Sequence, residues 1–240
     1  MKPFLLIQSR PEDDVARDEY AAFRRYLELD ESQLRSVRID QGELPAIELD
    51  ELSGIVVGGG PFNFTTPEKT ATQVRVEAEM SALLDRVVEA DFPFLGACYG
   101  VGLLTTHQGG LISKRYSEPV GAVTVRLETD DPLLEGMPET FDAFVGHKEA
   151  CEQLPPSAVL LASSKQCPVQ MMRVGRNVYA TQFHPELDAD GLAVRIRAYR
   201  HHGYFEPDEA EGLIAEGYAA GVTTEPMRLL RTFVRIYARD

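Results

Sequence analysis

The chain has 240 residues, 44% of them hydrophobic, and a formal net charge of −14. That length supports one large domain with a full core, or two small ones, and so acidic a surface repels phosphates and disfavours generic nucleic-acid binding. No apolar run reaches the roughly 18 residues of a membrane-spanning helix, and the scattered Cys98, Cys151 and Cys167 form neither a disulfide framework nor a zinc-binding pattern, so Cys151 and Cys167 are read as packing residues.

The chain opens with MKPFLLIQSR. Its apolar run is too short for a signal peptide, so a cytoplasmic protein is expected and Phe4–Gln8 is read as a first strand. Asp14–Leu29 reads as a helix, with Val15, Tyr20, Phe23, Tyr26 and Leu27 near helical spacing. Leu34–Ile39 is a second strand, and Gly54–Val57 is a short buried one running into Gly58-Gly59-Gly60-Pro61. Gln73–Ala90 is a helix with Val76, Met80, Leu83, Leu84, Val87 and Val88 on its apolar side. Phe92–Gly96 is the next strand and Tyr99–His107 the next helix, stopped by Gly109-Gly110.

Beyond this point strands dominate: Val120–Leu127, Phe141–Val145, Val159–Ser163, Val169–Val174 and Val178–Phe183. Residues 188–240 return to helix, with a break near His201–Pro207. Arg195, Arg197 and Arg200 are read as a solvated helix face, and His201–Phe205 as a turn without an assigned role. Strand–helix alternation followed by a strand-rich half predicts an α/β fold: a parallel sheet covered by helices, with added antiparallel strands. Residues 1–240 are expected to form one domain, with 187–240 a helical extension packed on it.

Two short motifs carry chemistry. Gly96-Ala97-Cys98-Tyr99-Gly100 has the G-x-nucleophile-x-G form of an elbow, in which a strand turns sharply into a helix and exposes the central side chain. At a helix N-terminus the macrodipole favours a thiolate. By itself the pattern fits a buried cysteine in a glycine-rich turn equally well. In the second motif the strand Val178–Phe183 ends in His184-Pro185-Glu186. Imidazole exchanges protons near neutral pH, and a carboxylate fixes its tautomer. Gly58-Gly59-Gly60 is followed by no GK[ST], so it is not read as a phosphate loop.

PFLGACYG together with QFHPE resembles the triad-type class I glutamine amidotransferases, and more narrowly the amidotransferase domain of GMP synthase and stand-alone relatives such as gamma-glutamyl peptidases. GIVVGGGPFNF resembles the family's glycine-rich oxyanion strand, and the likeness runs from about Leu52 to Glu186. The resemblance implies an open, mostly parallel, flavodoxin-like sheet with helices on both faces. It implies Cys98 as nucleophile, His184 as general base and acid, and Glu186 as the carboxylate that orients the histidine. The oxyanion hole would use backbone amides of Gly59 or Gly60 and Tyr99. The substrate is expected to be glutamine or a gamma-glutamyl compound, attacked to give a gamma-glutamyl thioester, with no metal or organic cofactor. A separate ammonia-accepting synthase is the expected partner of a glutamine-hydrolysing version.

One residue departs from the family pattern: Gly102 stands where C-x-G-x-Q places a substrate-holding glutamine, which brings a gamma-glutamyl conjugate forward as alternative substrate. A non-catalytic regulatory homologue is the third reading, and the intact Cys98, His184 and Glu186 weigh against it. His147 aligns with a family histidine near the glutamine site and is a substrate-side or structural candidate.

Overall fold

In the computed structural model, which describes residues 1–240, a nine-stranded sheet forms the centre of the molecule. Its first half alternates with helices: β1 (Phe4–Gln8), α1 (Asp13–Leu27), β2 (Leu34–Arg38), β3 (Gly54–Val57), α2 (Ala71–Glu89), β4 (Phe94–Ala97) and α3 (Tyr99–His107). Then come β5 (Leu111–Ser113), β6 (Glu118–Leu127), β7 (Thr140–His147), β8 (Ala150–Gln153), β9 (Ala158–Ser164), β10 (Met171–Val174) and β11 (Val178–Thr181). Three helices end the chain: α4 (Ala189–Ala198), α5 (Ala210–Ala219) and α6 (Glu225–Tyr237).

The strand order is β2-β1-β3-β4-β11-β10-β9-β6-β7. The run from β2 to β11 is parallel, and every later pair is antiparallel. The fold is therefore α/β, with a mostly parallel sheet extended by antiparallel strands. β5 and β8 pair separately as a small antiparallel ribbon. Neither was read from the sequence, because three- and four-residue strands are too short to display alternation.

Alternation on β1 shows how the sheet is covered. Leu5 and Ile7 join Ile55, Val57 and the apolar sides of α2 and α3 in one core cluster. Phe4 and Leu6 join Val56, Leu95, Phe23 and Leu27 of α1, and Leu229, Leu230 and Phe233 of α6, in the other. Strands buried on both faces read as continuous apolar runs, as FLLIQ and GIVV do. No helix is long and apolar enough to cross a membrane.

Element ends shift where local chemistry intervenes. α1 stops before Leu29 because Glu28 takes a left-handed conformation (φ 56°), with its N–H donating to the Arg24 and Arg25 carbonyls. α2 begins at Ala71 because the Thr70 side chain caps it by accepting from the Gln73 N–H. β4 begins at Phe94 because Asp91 turns with φ 47° and Pro93 has no N–H to give a ladder. β10 starts at Met171, next to a register irregularity.

Candidate active site

The parallel strands β1, β3, β4 and β11 are neighbours in the sheet, and their carboxyl ends deliver Arg10, Gly58–Gly60, Cys98 and His184 to one place. Open α/β sheets bind ligands along that edge. A cleft there is lined by Arg10, Gly60, Cys98, Tyr99, His147 and His184, among others.

Cys98 adopts φ 51° and ψ −83° between β4 and α3. A positive φ is strained for a residue with a side chain and is held here by its surroundings. The Cys98 N–H donates to the Thr181 carbonyl at 2.7 Å. A Cβ on Gly96 would stand 2.7 Å from the Gly100 Cα, so the strand and the helix start approach closely enough to require glycine. Tyr99 begins α3, and its amide has no partner within the helix. The amides of Gly59 and Gly60 likewise make no protein hydrogen bond. A Cβ on Gly59 would overlap Nη2 of Arg10 and lie 2.8 Å from Cε1 of His184, so this loop is packed directly between those two side chains.

His184 and Glu186 form the expected pair, with Nδ1 to Oε1 at 2.9 Å and both residues buried. Arg195, read from sequence as solvated, is a correction: it is 5% exposed, and its Nη2 donates to the same Glu186 oxygen at 2.7 Å. Its Nη1 also lies 3.0 Å from Nδ1 of His184. Glu186 is acceptor-only, so its contact with Nδ1 is a hydrogen bond when Nδ1 carries the ring proton, and that tautomer leaves the lone pair on Nε2. Behind Arg195 lies Glu19, fully buried on α1, 3.6 Å from Arg195 Nη2 and 3.0 Å from Arg10 Nε. Arg10, Glu19, Arg195 and Glu186 thus make a buried chain of alternating charge that ends at the histidine.

Burial governs the ionisation of this site. It pushes the Cys98 thiol up to about 11, against the pull of Arg10 and Arg195. It also lowers His184, although Glu186 works to raise it. Burial alone would raise Glu186, but the charge of Arg195 and the hydrogen bonds from His184 and Arg195 hold the carboxyl well below the usual range. The resting site therefore holds a neutral thiol, a neutral imidazole and an ionised carboxylate. Desolvation is the largest influence on the thiol, larger than the pull of either arginine.

Gly102 faces the ring of Phe64: a Cβ there would come within 2.6 Å of Cδ2 and closer still to Cε2. Phe64 stacks on Tyr99 at 5.5 Å, and Phe62 meets the same ring edge-on at 5.9 Å. Glu149 holds this aromatic loop in place, since its two oxygens accept from the amides of Phe64 and Thr65 at 2.5 and 2.9 Å. His147 lies in the cleft wall, 5% exposed, with Nε2 2.8 Å from Glu118 and Nδ1 3.0 Å from the Glu149 carbonyl. Glu118 also accepts from Ser164 and Gln170. Glu118, His147 and Cys167 are close enough to hold a metal ion, but protein donors already satisfy the carboxylate. The turn after α4 is part of the cleft too: Tyr199, Tyr204 and Phe205 line it, and Lys148 sits 4.2 Å over the Tyr204 ring.

Sequence reading missed Arg10, Glu19, Glu149, Phe64, Tyr199 and Tyr204. A signal was present for two of the buried ionic residues. Glu19 falls midway between Val15 and Phe23 on the buried side of α1, and Arg195 sits between Leu192 and Ile196. A charge on an apolar stripe needs a buried partner.

Comparison with known proteins agrees with this architecture. The family model for glutamine amidotransferase class-I matches residues 18–194, and the chain belongs to the class I glutamine amidotransferase family. A glutamine-hydrolyzing GMP synthase of Thermosipho africanus is 29% identical over 145 residues, 60% of this chain and 26% of that protein. One subunit of the glutamine-hydrolyzing GMP synthase of Thermococcus kodakarensis is 28% identical over 145 residues, 60% of this chain and 71% of that protein. The chain thus spans about a quarter of the full-length GMP synthase. A glutamine amidotransferase from Thermotoga maritima superimposes with a TM-score of 0.78 over 100% of both chains at 20% identity, which supports the fold.

Proposed function

We propose that this chain is an amidohydrolase that cleaves the side-chain amide of glutamine through Cys98, His184 and Glu186. The observation that carries the reading is the strained elbow: Cys98 is held at φ 51° on the edge where β11 delivers His184 already paired with Glu186. Family membership supports it.

The chemistry follows from the resting charges. Nε2 of His184 takes the Cys98 proton as sulfur attacks the amide carbon, so thiol and imidazole become thiolate and imidazolium together. Glu186, already ionised, stabilises the imidazolium through Nδ1. The tetrahedral oxyanion is bound by the Tyr99 amide and an amide of Gly59 or Gly60. His184 returns the proton to the leaving nitrogen, ammonia departs, and a gamma-glutamyl thioester remains on Cys98. Water, deprotonated by His184, releases glutamate. No step calls on a metal or organic cofactor.

The Thermococcus relative is named as one subunit of a synthase. Carried over, that division of labour has this chain supplying ammonia to a separate synthase.

A second reading is favoured by Gly102. The family glutamine is absent and Phe64 packs against the position, so the substrate is held differently. A gamma-glutamyl conjugate, cleaved by a gamma-glutamyl peptidase-type reaction that needs no synthase, suits that change. Incubation with glutamine and with gamma-glutamyl dipeptides separates the two readings by which one releases glutamate. Release of glutamate from neither, or release undiminished in Cys98→Ala, would refute the amidohydrolase.

A further inference from the structure

The proposed reaction makes a thiolate in a buried site, and one cation there has no assigned task. Arg10 follows β1, is 5% exposed and lines the cleft with Cys98. Its Nε donates to Glu19 at 3.0 Å and its Nη1 to the Tyr199 hydroxyl at 3.0 Å, while the guanidinium stands 5.7 Å from the Tyr199 ring. Its Nη2 has no protein hydrogen bond and presses against Gly59, beside His184.

We propose that Arg10 is the charge partner of the Cys98 thiolate: its guanidinium, fixed by Glu19 and Tyr199 and seated against Gly59, supplies the positive charge against which the sulfur ionises. The role rests on Cys98 being the nucleophile. Arg10 acts through the sulfur and positions charge; the proton itself still passes from Cys98 to Nε2 of His184, and the sulfur keeps the electron pair.

The other groups around Cys98 leave Arg10 as the cation best placed for this. Arg195 of α4 is already bound to Glu186 and lies near Glu19. Glu186 and Glu149 oppose thiolate formation, and the neutral Tyr204 lies nearby. Gln182, whose Nε2 lies 3.9 Å from the sulfur, carries no charge. Of the charges acting on the thiol, Arg10 is the largest that draws it down against desolvation. In return, Glu19 keeps Arg10 fully charged in its buried setting. Moving the Cys98 proton to His184 leaves the net charge of the site unchanged, so ionisation separates charge within the site without adding any.

The test is the pH profile of Cys98 alkylation by iodoacetamide, read by peptide mass spectrometry; Cys151 and Cys167 are fully buried. Only the thiolate reacts. An opposite charge within reach is worth about one to three pKa units. Arg10→Gln should therefore move the profile to higher pH and slow alkylation at pH about 8 by roughly tenfold or more. Arg10→Lys, which keeps the charge, should stay within about threefold of the wild type. Arg10→Met, a second neutral variant, should move the profile upward as Arg10→Gln does, so the test stands even if Arg10→Gln fails to fold. A shift with both neutral variants that Arg10→Lys rescues is an electrostatic signature that a packing defect does not produce. An unmoved profile in the neutral variants, or equal shifts in them and in Arg10→Lys, would overturn the role of Arg10 and leave the nucleophile standing. A wild-type Cys98 that takes no reagent at any pH would overturn both.

Discussion

The contact between Gly102 and Phe64 gives a prediction whose sign is unusual. Replacing a helix-interior glycine with alanine ordinarily stabilises by about 1 kcal/mol. Gly102 is buried in α3, and its new Cβ would stand 2.6 Å from Cδ2 of Phe64. The ring has little freedom to retreat, because it stacks on Tyr99 and its loop amides are bound by Glu149. Overpacking of this kind costs about 1–3 kcal/mol, so Gly102→Ala should be destabilising by about 0–2 kcal/mol. At this chain length 1 kcal/mol corresponds to about 2–4 °C in Tm. In a Phe64→Ala background the clash is gone, and the same substitution should stabilise by about 1 kcal/mol. A double-mutant cycle by chemical denaturation reads the difference as a coupling of about 1–3 kcal/mol. If Gly102→Ala raises stability equally in both backgrounds, Phe64 does not fill that space and the case for an altered substrate pocket falls with it.

Other outcomes follow from the same geometry. Arg195→Met should destabilise by about 3–5 kcal/mol, because Glu186 and Glu19 lose a buried cation, and equilibrium denaturation checks it. Glu186 is held below its unfolded value, so the unfolded chain takes up its proton first; the stabilisation is present above pH about 4.5 and is lost as acid reaches the lower folded value. Denaturation midpoints measured down the acid range should fall through that window, and Glu186→Gln should flatten the slope. His184 is lowered from its ordinary 6.5 and acts as a base only when neutral. The acid limb of kcat/KM should therefore bend below pH 6.5, and a bend above it would contradict the burial argument. Glu149→Gln weakens the grip on the Phe64 and Thr65 amides, so steady-state kinetics should show KM rising by more than kcat falls.

The centre of this fold was legible because it is written in contiguous residues. FLLIQ, GIVV and PFLGA are apolar on both faces, as parallel strands require, and the G-x-C-x-G and HPE motifs each sit where a strand ends. What could not be read was partnership at a distance. Arg195 looks solvated until Glu186 and Glu19 are brought to it, and its place on a helix says nothing of which carboxylate it meets. Gly102 read as a missing glutamine, yet the ring that packs on it comes from a loop 38 residues earlier. The turn at His201–Phe205 carries no pattern of its own and acquires meaning only because α4 ends beside the cleft, placing Tyr204 and Phe205 in its wall. The helix start at Cys98 was legible too, but the desolvation that raises its thiol depends on everything packed around the sulfur.

The most direct test of the central claim is mass spectrometry of the intact protein after exposure to an electrophilic glutamine analogue, with Cys98→Ala as the control. The predicted result is a single adduct, located on Cys98 and absent from the variant. An adduct elsewhere, or one that persists in Cys98→Ala, would contradict Cys98 as the nucleophile of a glutamine-shaped site.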